Sequence, residues 1–466
     1  MTPRPALSDH FRPPTPPRPA QPLPKLELLR RARRNLLEMF SDKLLNQDYS
    51  DSRVLFQRVI ICNSPETVQA ALVGQHAAVE RKSPQMRHAL EPLLGDGLFV
   101  SDGPVWAQRR RMVAPVVHVN RLHLFAPVMV EVAREAAARW AALPAAKPVA
   151  MLEEMARLTA EIICRTVFGR ALGRDQAREI VDGFSDYQRR IGQTDLLSLL
   201  GLPDWLPRLL TQGVKRSARR IQAVIEGIIE AHRKARAAGE IEDEPTILRL
   251  LMEAEDPDTD THFTAEALRN EAAVLFMAGH ETTANSLAWT WYLLSQSPRV
   301  SAKLHEELDR VLGGRPPTLA DMSALPYARA VFEESLRLYP PVPILPRQAT
   351  EDCEILGRKV PKGAMVLIIP WLLHRKPSLW DMPDHFIPER FLAENAAGRS
   401  KYAYVPFSAG PRVCLGLAFG MTEAVLCLAT LAQHFAPRLA PGAEVRPVCR
   451  LTLRPEGGLP MLLDRR

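Results

Sequence analysis

Residues 406–420 read PFSAGPRVCLGLAFG, a stretch that sets a single cysteine, Cys414, among glycines. Three glycines fall within eleven residues, and Arg412 lies two residues before the cysteine. A lone cysteine in an apolar run is usually a small buried hydrophobe. The glycines indicate instead a backbone shaped around a bound group, because glycine permits tight turns and close approach. As a thiolate, Cys414 is a strong ligand for iron, and haem is a cofactor that cysteine holds.

The composition is that of a globular protein and gives no sign of nucleic-acid binding. The chain has 466 residues, of which 46% are hydrophobic and 24% are charged, as is usual for such proteins. Residues 1–34 carry eight basic and two acidic side chains, so they hold +6 of the formal net charge of +7. The rest is close to neutral, whereas a nucleic-acid-binding domain needs a basic face. The six cysteines contain no CxxC pair, which favours a reducing compartment over a disulfide framework or a zinc site.

The pattern along the chain predicts an arm followed by one domain. Residues 1–24 contain nine prolines and no apolar core, so we expect a disordered, Pro-rich N-terminal arm rather than a signal peptide. No long linker or repeat follows, and residues 25–466 are predicted to form a single domain. The basic amphipathic stretch 28–40 is predicted to be a first helix packed on that domain, and peripheral membrane contact is the alternative.

Helical periodicity dominates the domain. Apolar residues recur at three- and four-residue intervals in the stretches 128–143, 153–169, 216–239 and 328–339. Strand candidates are few, and they lie at 53–62, at 359–370 and in a terminal pair within 449–463 with a Gly-Gly turn. The predicted fold class is therefore mainly α with small β-sheets.

One helix is predicted to be unusually long. No proline interrupts the segment from Thr264, a predicted N-cap, to Ser297, which corresponds to roughly 50 Å of helix. A membrane span is the competing interpretation, but the polar residues 280–285 would then lie near mid-bilayer. A buried central helix is predicted instead. Its polar cluster requires a partner for each group or a function.

Several other chemistries lack their motifs. His280-Glu281 has no second histidine four residues after the first, so it is not the zinc-protease pattern. Neither a GxGxxG dinucleotide fingerprint nor a GxxxxGK[ST] phosphate loop is present in the sequence. Any reducing equivalents must therefore come from a separate protein.

The motifs together resemble those of the cytochrome P450 monooxygenases. Phe407-x-x-Gly410-x-Arg412-x-Cys414-x-Gly416 matches the haem-binding signature of that family without a gap. Residues 278–283 (AGHETT) match the family's oxygen-activation motif. Glu334-x-x-Arg337 matches its core ion pair, and Arg390, within residues 388–391, matches the third member of that ion-pair network. Trp106-x-x-x-Arg110 resembles a helix motif of the family, and Arg347 resembles the arginine of the strand that faces the haem. The resemblance covers nearly all of residues 25–466.

The resemblance implies a cytochrome P450 fold with haem b between the long central helix and the cysteine loop. It assigns Cys414 as the iron ligand, and it makes Thr282 and Glu281 the residues that hold the activated oxygen and relay protons from bulk water. The implied cofactor-binding residues are Arg110, Arg347 and Arg412 for the propionates, with Trp106, Phe407, Gly416 and Ala278. Glu334, Arg337 and Arg390 are expected to form a structural network. The expected substrate pocket comprises Ala278, Val342, Ile344, Leu345, Phe99 and Leu459.

The implied activity is insertion of one oxygen atom from O2 into a hydrophobic organic substrate, such as a fatty acid, terpenoid, steroid or aromatic compound. Electrons are expected from NAD(P)H through a ferredoxin or flavodoxin and its reductase, and the basic residues Arg109 and Arg111 either attract that partner or form a solvated helix face. The alternatives are a peroxide-driven hydroxylase, a haem-thiolate isomerase and a non-catalytic haem-binding sensor. A cytoplasmic location is expected, with at most peripheral membrane contact.

Overall fold

A computed structural model describes residues 10–54, 57–144, 147–169, 174–191, 212–239 and 245–466. Its architecture is mainly helical with small sheets, as predicted. The α-helices cover Lys25–Arg34, Asp42–Asn46, Pro65–Gln69, His76–Val79, Pro84–Leu94, Gly103–Val113, Leu122–Ala141, Met151–Phe168, Arg174–Ile191, Gln212–Ala237, Ile247–Glu253, Ala265–Ser295, Pro298–Leu312, Pro326–Leu338, Pro370–Leu373, Ala393–Ala396 and Leu417–Ala432. The strands cover Tyr49–Val54, Gln57–Cys62, Arg81–Lys82, Val149–Ala150, Glu255–Asp256, Thr261–His262, Leu345–Gln348, Cys353–Ile355, Arg358–Val360, Met365–Ile368, Phe435–Leu439, Pro447–Cys449, Leu453–Pro455 and Pro460–Arg465.

The central helix, Ala265–Ser295, is the longest of the described helices. Thr264 caps it as predicted, since its hydroxyl accepts a hydrogen bond from the backbone N–H of Ala267 at 3.2 Å. It packs against the helices Met151–Phe168, Pro326–Leu338 and Leu417–Ala432. Because it is buried along most of its length, the domain core forms around it. Among the described residues, none of the helices has both the length and the apolar character that a membrane span requires.

The largest sheet has five strands in the order Tyr49–Val54, Gln57–Cys62, Met365–Ile368, Leu345–Gln348 and Arg81–Lys82. Its Met365–Ile368 strand runs parallel to Gln57–Cys62 and antiparallel to Leu345–Gln348. The sheet has its own apolar cluster, separate from the main helical core. This topology brings Arg347 opposite Lys82 in the strand register.

The prediction that the terminal strands pair across the Gly-Gly turn is wrong. Pro447–Cys449 pairs with Leu453–Pro455, so the hairpin turns at residues 450–452 rather than at the two glycines. Pro460–Arg465 lies in a different sheet, between Phe435–Leu439 and Val149–Ala150. The Gly-Gly segment therefore joins two sheets, and both glycines adopt positive φ there.

The described part of the N-terminal arm packs on the domain, which differs from the expected disorder. The ring of Phe11 contacts that of Tyr292 edge-on, with centroids 5.9 Å apart. The backbone carbonyl of Phe11 accepts a hydrogen bond from the N–H of Phe386 at 2.9 Å. The carbonyl of Pro14 accepts the hydroxyl of Tyr339 at 2.7 Å. Proline lacks an N–H but keeps its carbonyl, so an extended proline-rich chain can still be fixed by donors on the body.

Candidate active site

The cysteine loop is held in shape by backbone bonds and one required glycine. The N–H of Cys414 donates to the carbonyl of Phe407 at 2.9 Å, which closes the loop. Gly410 has φ +72°, and a Cβ there would overlap the backbone oxygen of Leu72. Both the positive φ and the close approach exclude other residue types at this position.

The thiol of Cys414 differs from the other five cysteines. Cys414 is exposed, whereas four are buried, one is partly buried, and all six are free. The surrounding protein nevertheless raises the pKa of the Cys414 thiol by desolvation, while the N–H of Gly416, Arg110 and Lys82 act to lower it. A side chain can be reachable and still poorly hydrated when it is crowded by neighbours. The arrangement provides a soft donor that a metal can reach, with an N–H and two cations that favour the thiolate.

Three arginines predicted to bind the cofactor converge on this loop. Arg110 Nη1 donates to the carbonyl of Val413 at 2.8 Å. Arg412 Nη2 donates to the carbonyl of Ser101 at 2.6 Å, and its guanidinium lies 4.5 Å from the ring centroid of Trp106. These contacts place Arg110, Arg412 and Trp106 beside one another, as the resemblance implies.

Arg347 is 2% exposed, and its Nη1 donates to the carbonyl of the preceding residue, Pro346, at 3.0 Å. Burial, followed by the positive charge of Arg412, lowers the pKa of Arg347 to about 10. Glu80 opposes this shift and also lies 3.4 Å from Arg412 Nε. Two neighbouring arginines thus share one nearby carboxylate.

Lys82 is a further basic residue of this site, in addition to the three predicted arginines. Its ammonium group lies 4.5 Å from the ring centroid of Phe99. Burial lowers its pKa well below the usual value, and the charges of Arg347 and Arg412 lower it further, whereas Cys414 raises it. No motif marks this lysine, because only the pairing of the Arg81–Lys82 strand with Leu345–Gln348 brings it here.

The residues present fit a haem. The cluster combines a reachable thiol with Lys82 and three arginines, and the hydroxyl of Ser101 is buried with no hydrogen-bond partner among the described residues. A buried excess of positive charge is costly unless an anion compensates it. The two propionates of a haem supply such anions, and the thiol supplies the axial ligand.

The oxygen-activation motif lies on the central helix, and its polar groups have partners. Thr282 Oγ1 donates to the carbonyl of Ala278 at 2.7 Å, the local bond that a helical threonine commonly forms. His280 points away, with Nε2 at 3.1 Å from the carbonyl of Ala156, and burial lowers its pKa to about 4. Glu281 Oε1 accepts the hydroxyl of Thr452 at 2.7 Å.

The cysteine loop and the central helix are directly connected. Leu417–Ala432, the helix that follows Cys414, packs on the central helix. A Cβ at Gly420 would lie 3.9 Å from Thr283 Oγ1, and Thr283 hydrogen-bonds the buried Glu423. The motif residue Thr283 therefore lies against the first turns of the cysteine helix.

The expected substrate residues divide between two clusters. Ile344, Phe99 and Leu459 pack with the main core, whereas Val342 and Leu345 pack with the sheet cluster. Leu459 is 1% exposed and lies after the segment that joins two sheets, not in a hairpin. The described turn that contacts the oxygen-activation motif is residues 450–452, through Thr452.

The expected structural network is brought together. Arg337 donates to both carboxylate oxygens of Glu334, at 2.6 and 2.8 Å, and to the carbonyls of His374, Pro383 and His385. Arg390 Nε donates to Glu334 Oε1 at 3.1 Å. Glu334 and Arg337 are both fully buried.

Arg109 and Arg111 do not form a free basic face. Arg109 Nη2 lies 2.9 Å from Asp96 and its Nε 3.6 Å from the buried Glu271. Arg111 bonds both oxygens of Asp256. Their charges are paired with carboxylates within the fold, so they leave little free charge for an acidic partner, and their attraction of such a partner stays a prediction.

Comparisons with known proteins identify one matching family model and several similar chains. A model of the family "Cytochrome P450" matches residues 17–459. The chain is 36% identical to cyclooctatin synthase of Streptomyces melanosporofaciens over 396 residues, covering 84% of this chain and 83% of that protein. It is 31% identical to cyclooctat-9-en-7-ol 5-monooxygenase of the same organism, covering 80% and 79%. The crystal structure of the cytochrome P450DA heme domain superposes with a TM-score of 0.78 at 25% identity, covering 96% of this chain and 93% of that chain.

Proposed function

The chain belongs to the cytochrome P450 family of monooxygenases, and we propose that it inserts one oxygen atom from O2 into a hydrophobic organic substrate with electrons from a separate redox protein. The observation that carries this proposal is the pairing of two sites. A reachable Cys414 thiol lies among four cations, and the helix that follows it packs on the segment that bears Glu281 and Thr282.

Cys414, in this proposal, holds the iron of haem b, and Arg110, Arg347, Arg412 and Lys82 hold its propionates. A thiolate-bound haem supplies the redox chemistry that activates O2 and favours O–O cleavage. The thiolate is stabilised by the N–H of Gly416.

Thr282 and Glu281, on the central helix, deliver protons on the side of the haem opposite Cys414 in this proposal. The Thr282 hydroxyl donates to the carbonyl of Ala278 in the structure, and a rotation of its χ1 would free it to donate on the haem-facing side of the helix when the cofactor is bound. Glu281 carries protons from water to that hydroxyl. Ala278 provides the small side chain that leaves room for O2 and substrate.

The substrate class is proposed from two supports. Ile344 and Phe99 are partly buried apolar residues of the main core, and no charged anchor is proposed for a substrate. The two relatives from Streptomyces are named for cyclooctatin and for cyclooctat-9-en-7-ol. Hydrophobic ring compounds and their alcohols are therefore the first substrates to test, with fatty acids, steroids and simple aromatics next.

The redox partner is proposed to be a ferredoxin or flavodoxin, reduced by NAD(P)H through its reductase in the cytoplasm. Exposed apolar side chains lie on three segments that meet at the cysteine loop, namely Val73, Val105 and Leu417. Because Arg109 and Arg111 are paired internally, docking on this side is expected to depend on apolar contacts more than on those charges.

Reconstitution tests the function. The haem-loaded protein, reduced under carbon monoxide, should show the red-shifted Soret band of thiolate ligation. Cys414→Ser should lose this band, while the partly buried Cys353→Ser should keep it. A ligand selected by its effect on the haem spectrum should then gain one atom of ¹⁸O from ¹⁸O2 with NADPH and a surrogate ferredoxin system. Product with peroxide alone supports the peroxide-driven alternative, and no product with either oxidant supports a sensor.

A further inference from the structure

The carboxylate of Glu281 is held by a residue from a distant part of the chain. Thr452 lies in the turn of the hairpin Pro447–Pro455, and its Oγ1 donates to Glu281 Oε1 at 2.7 Å. The Oγ1 atom of Thr452 also accepts a hydrogen bond from Asn285 Nδ2 at 3.2 Å. Asn285 is one helical turn after Glu281, so a single hydroxyl bridges two side chains of the central helix.

The directions of these bonds are fixed by chemistry. An amide nitrogen can only donate, so Thr452 Oγ1 accepts from Asn285 and its one proton points to Glu281. A hydroxyl that donates to a carboxylate stabilises the ionised form. Thr452 and Asn285 are 9% and 2% exposed, whereas Glu281 is partly buried, so the bridging hydroxyl is shielded from water on the side away from Glu281.

The turn itself is anchored on both sides. The N–H of Leu453 donates to the carbonyl of Pro341 at 3.0 Å, and the carbonyl of Leu453 accepts a hydrogen bond from Trp289 Nε1 at 3.3 Å. On the other strand, Cys449 N–H donates to Asn35 Oδ1 at 3.1 Å. The hydroxyl of Thr452 is therefore presented from a fixed backbone.

We propose that Thr452, supported by Asn285, is the positioning residue of the proton relay: it holds Glu281 ionised and in one orientation beside Thr282. The inference rests on the proposed function, because it assigns a support to a residue of that relay. Thr452 acts through Glu281 and does not itself transfer protons to oxygen. A threonine used only for packing would contribute nothing to proton delivery.

The test uses the haem-loaded full chain without any added organic substrate. Reduction of O2 by NADPH through a surrogate plant-type ferredoxin and its reductase consumes protons with electrons, four of each for every O2 reduced to two water molecules. Thr452→Val keeps the side-chain shape but removes the hydroxyl. We expect the maximal rate of NADPH oxidation to fall about tenfold, less than the hundredfold or more that a lost general acid costs, with an increased solvent isotope effect and an unchanged KM for ferredoxin.

Two variants control for structure. Thr452→Ser keeps the hydroxyl and should restore the wild-type rate and isotope effect. Thr290→Val removes a buried hydroxyl of the same helix that donates to the carbonyl of Ser286, and it should leave both unchanged. Asn285→Ala should give part of the Thr452→Val effect, because Thr452 then loses the donor that fixes its proton.

A double variant decides whether Thr452 acts through Glu281. In the Glu281→Gln background, Thr452→Val should cause no further loss. A full, additive tenfold loss there would overturn the proposal, as would a wild-type rate for Thr452→Val itself.

An infrared titration of the same holoproteins provides a readout that does not depend on turnover. The protonated-carboxyl band assigned by Glu281→Gln should appear at higher pH in Thr452→Val than in wild type, because the carboxylate has lost a donor. The titration is repeated in the Cys449→Ala background, which removes the nearby thiol whose pKa is raised by burial and by the charge of Glu281. An unchanged carboxyl midpoint would contradict the proposal. Failure of the proposed function is distinguishable, since the wild type would then lack the red-shifted Soret band or would keep it without oxidising NADPH through the ferredoxin system.

Discussion

Gly410 is a residue whose replacement should be costly for two separable reasons. Its φ of +72° strains any other side chain, and a Cβ would overlap the backbone oxygen of Leu72. Gly363 has a similar φ of +82°, but a Cβ at that position would have no neighbouring atom within 4 Å. Gly363→Ala should therefore incur only the φ cost, about 1 kcal/mol, while Gly410→Ala must also displace the cysteine loop.

We expect Gly410→Ala to lower the midpoint of thermal unfolding more than Gly363→Ala and to reduce the haem content of the purified protein. Circular dichroism melts and the ratio of Soret to protein absorbance measure both effects. Equal losses in the two variants, with full haem content, would show that the loop tolerates the extra atom.

The residues of the site differ in how far the sequence predicts them. Cys414, Arg412 and Gly410 lie within five residues, so their local spacing already indicates a ligand loop. Lys82 reaches the cysteine loop only through strand pairing, and Thr452 reaches Glu281 on the central helix only through a hairpin turn. Contacts between residues hundreds of positions apart leave no local pattern, and for that reason neither residue was predicted.

The helix Pro326–Leu338 illustrates how burial decides the value of an ion pair. Arg337 and Glu334 are both fully buried, and Arg337 also donates to three backbone carbonyls. On the same helix Arg329 lies 3.5 Å from Glu333, with a side chain that is 57% exposed. Removing a partner from a fully buried pair costs roughly 3–5 kcal/mol, whereas the Arg329–Glu333 pair has one largely exposed partner and one that is 17% exposed, so it contributes less.

Arg337→Ala is accordingly expected to yield little folded holoprotein, because Glu334 loses its two-bonded partner and three carbonyls lose a donor. Arg329→Ala, its matched control, should give a normal yield. The measurement is the amount of soluble protein with the red-shifted Soret band per litre of culture. Recovery of Arg337→Ala with normal haem content would contradict this assignment of a structural role.

The elements were predictable where the pattern is local and long. The central helix begins at its predicted cap, and the four periodic stretches are all helical in the structure. The terminal hairpin was not predictable in the same way, because a Gly-Gly turn signal says nothing about which strands pair. The strand Pro460–Arg465 pairs with Phe435–Leu439 and Val149–Ala150, and it does not pair with the preceding strand, Leu453–Pro455.

At the scale of the whole molecule, the arm shows a similar limit. Proline-rich composition predicts an extended chain, and residues 10–24 contain no strand and no helix before Lys25. Composition cannot show that Tyr339, itself stacked 3.9 Å from the ring of Trp289, presents a hydroxyl to Pro14. The extended form was predictable, but the donors that fix it lie in the domain.

The stability of the whole fold should depend on pH in part through Glu423, one of the buried acids whose pKa is raised. Glu423 is 1% exposed, and burial raises its pKa to about 8 although Thr283 donates to it. In the unfolded chain a glutamate ionises near pH 4.3. Between these values the folded state keeps a proton that the unfolded state has lost, so stability falls as pH rises, by about 1.4 kcal/mol per unit, and the decline ends above the folded pKa.

Glu423→Gln removes this titration while keeping the shape and an acceptor for Thr283. The midpoint of thermal unfolding of the variant, relative to that of the wild type, should therefore rise steadily between pH 5 and pH 8. Only the wild type must bind a proton at this position in order to fold, and this becomes less favourable as pH rises. Thermal melts of the holoprotein at unit intervals of pH measure the difference, and Glu444→Gln, at a largely exposed position, should show a constant offset. Parallel pH curves for Glu423→Gln and wild type would mean that Glu423 is ionised in the fold, with a cation or water satisfying its second oxygen.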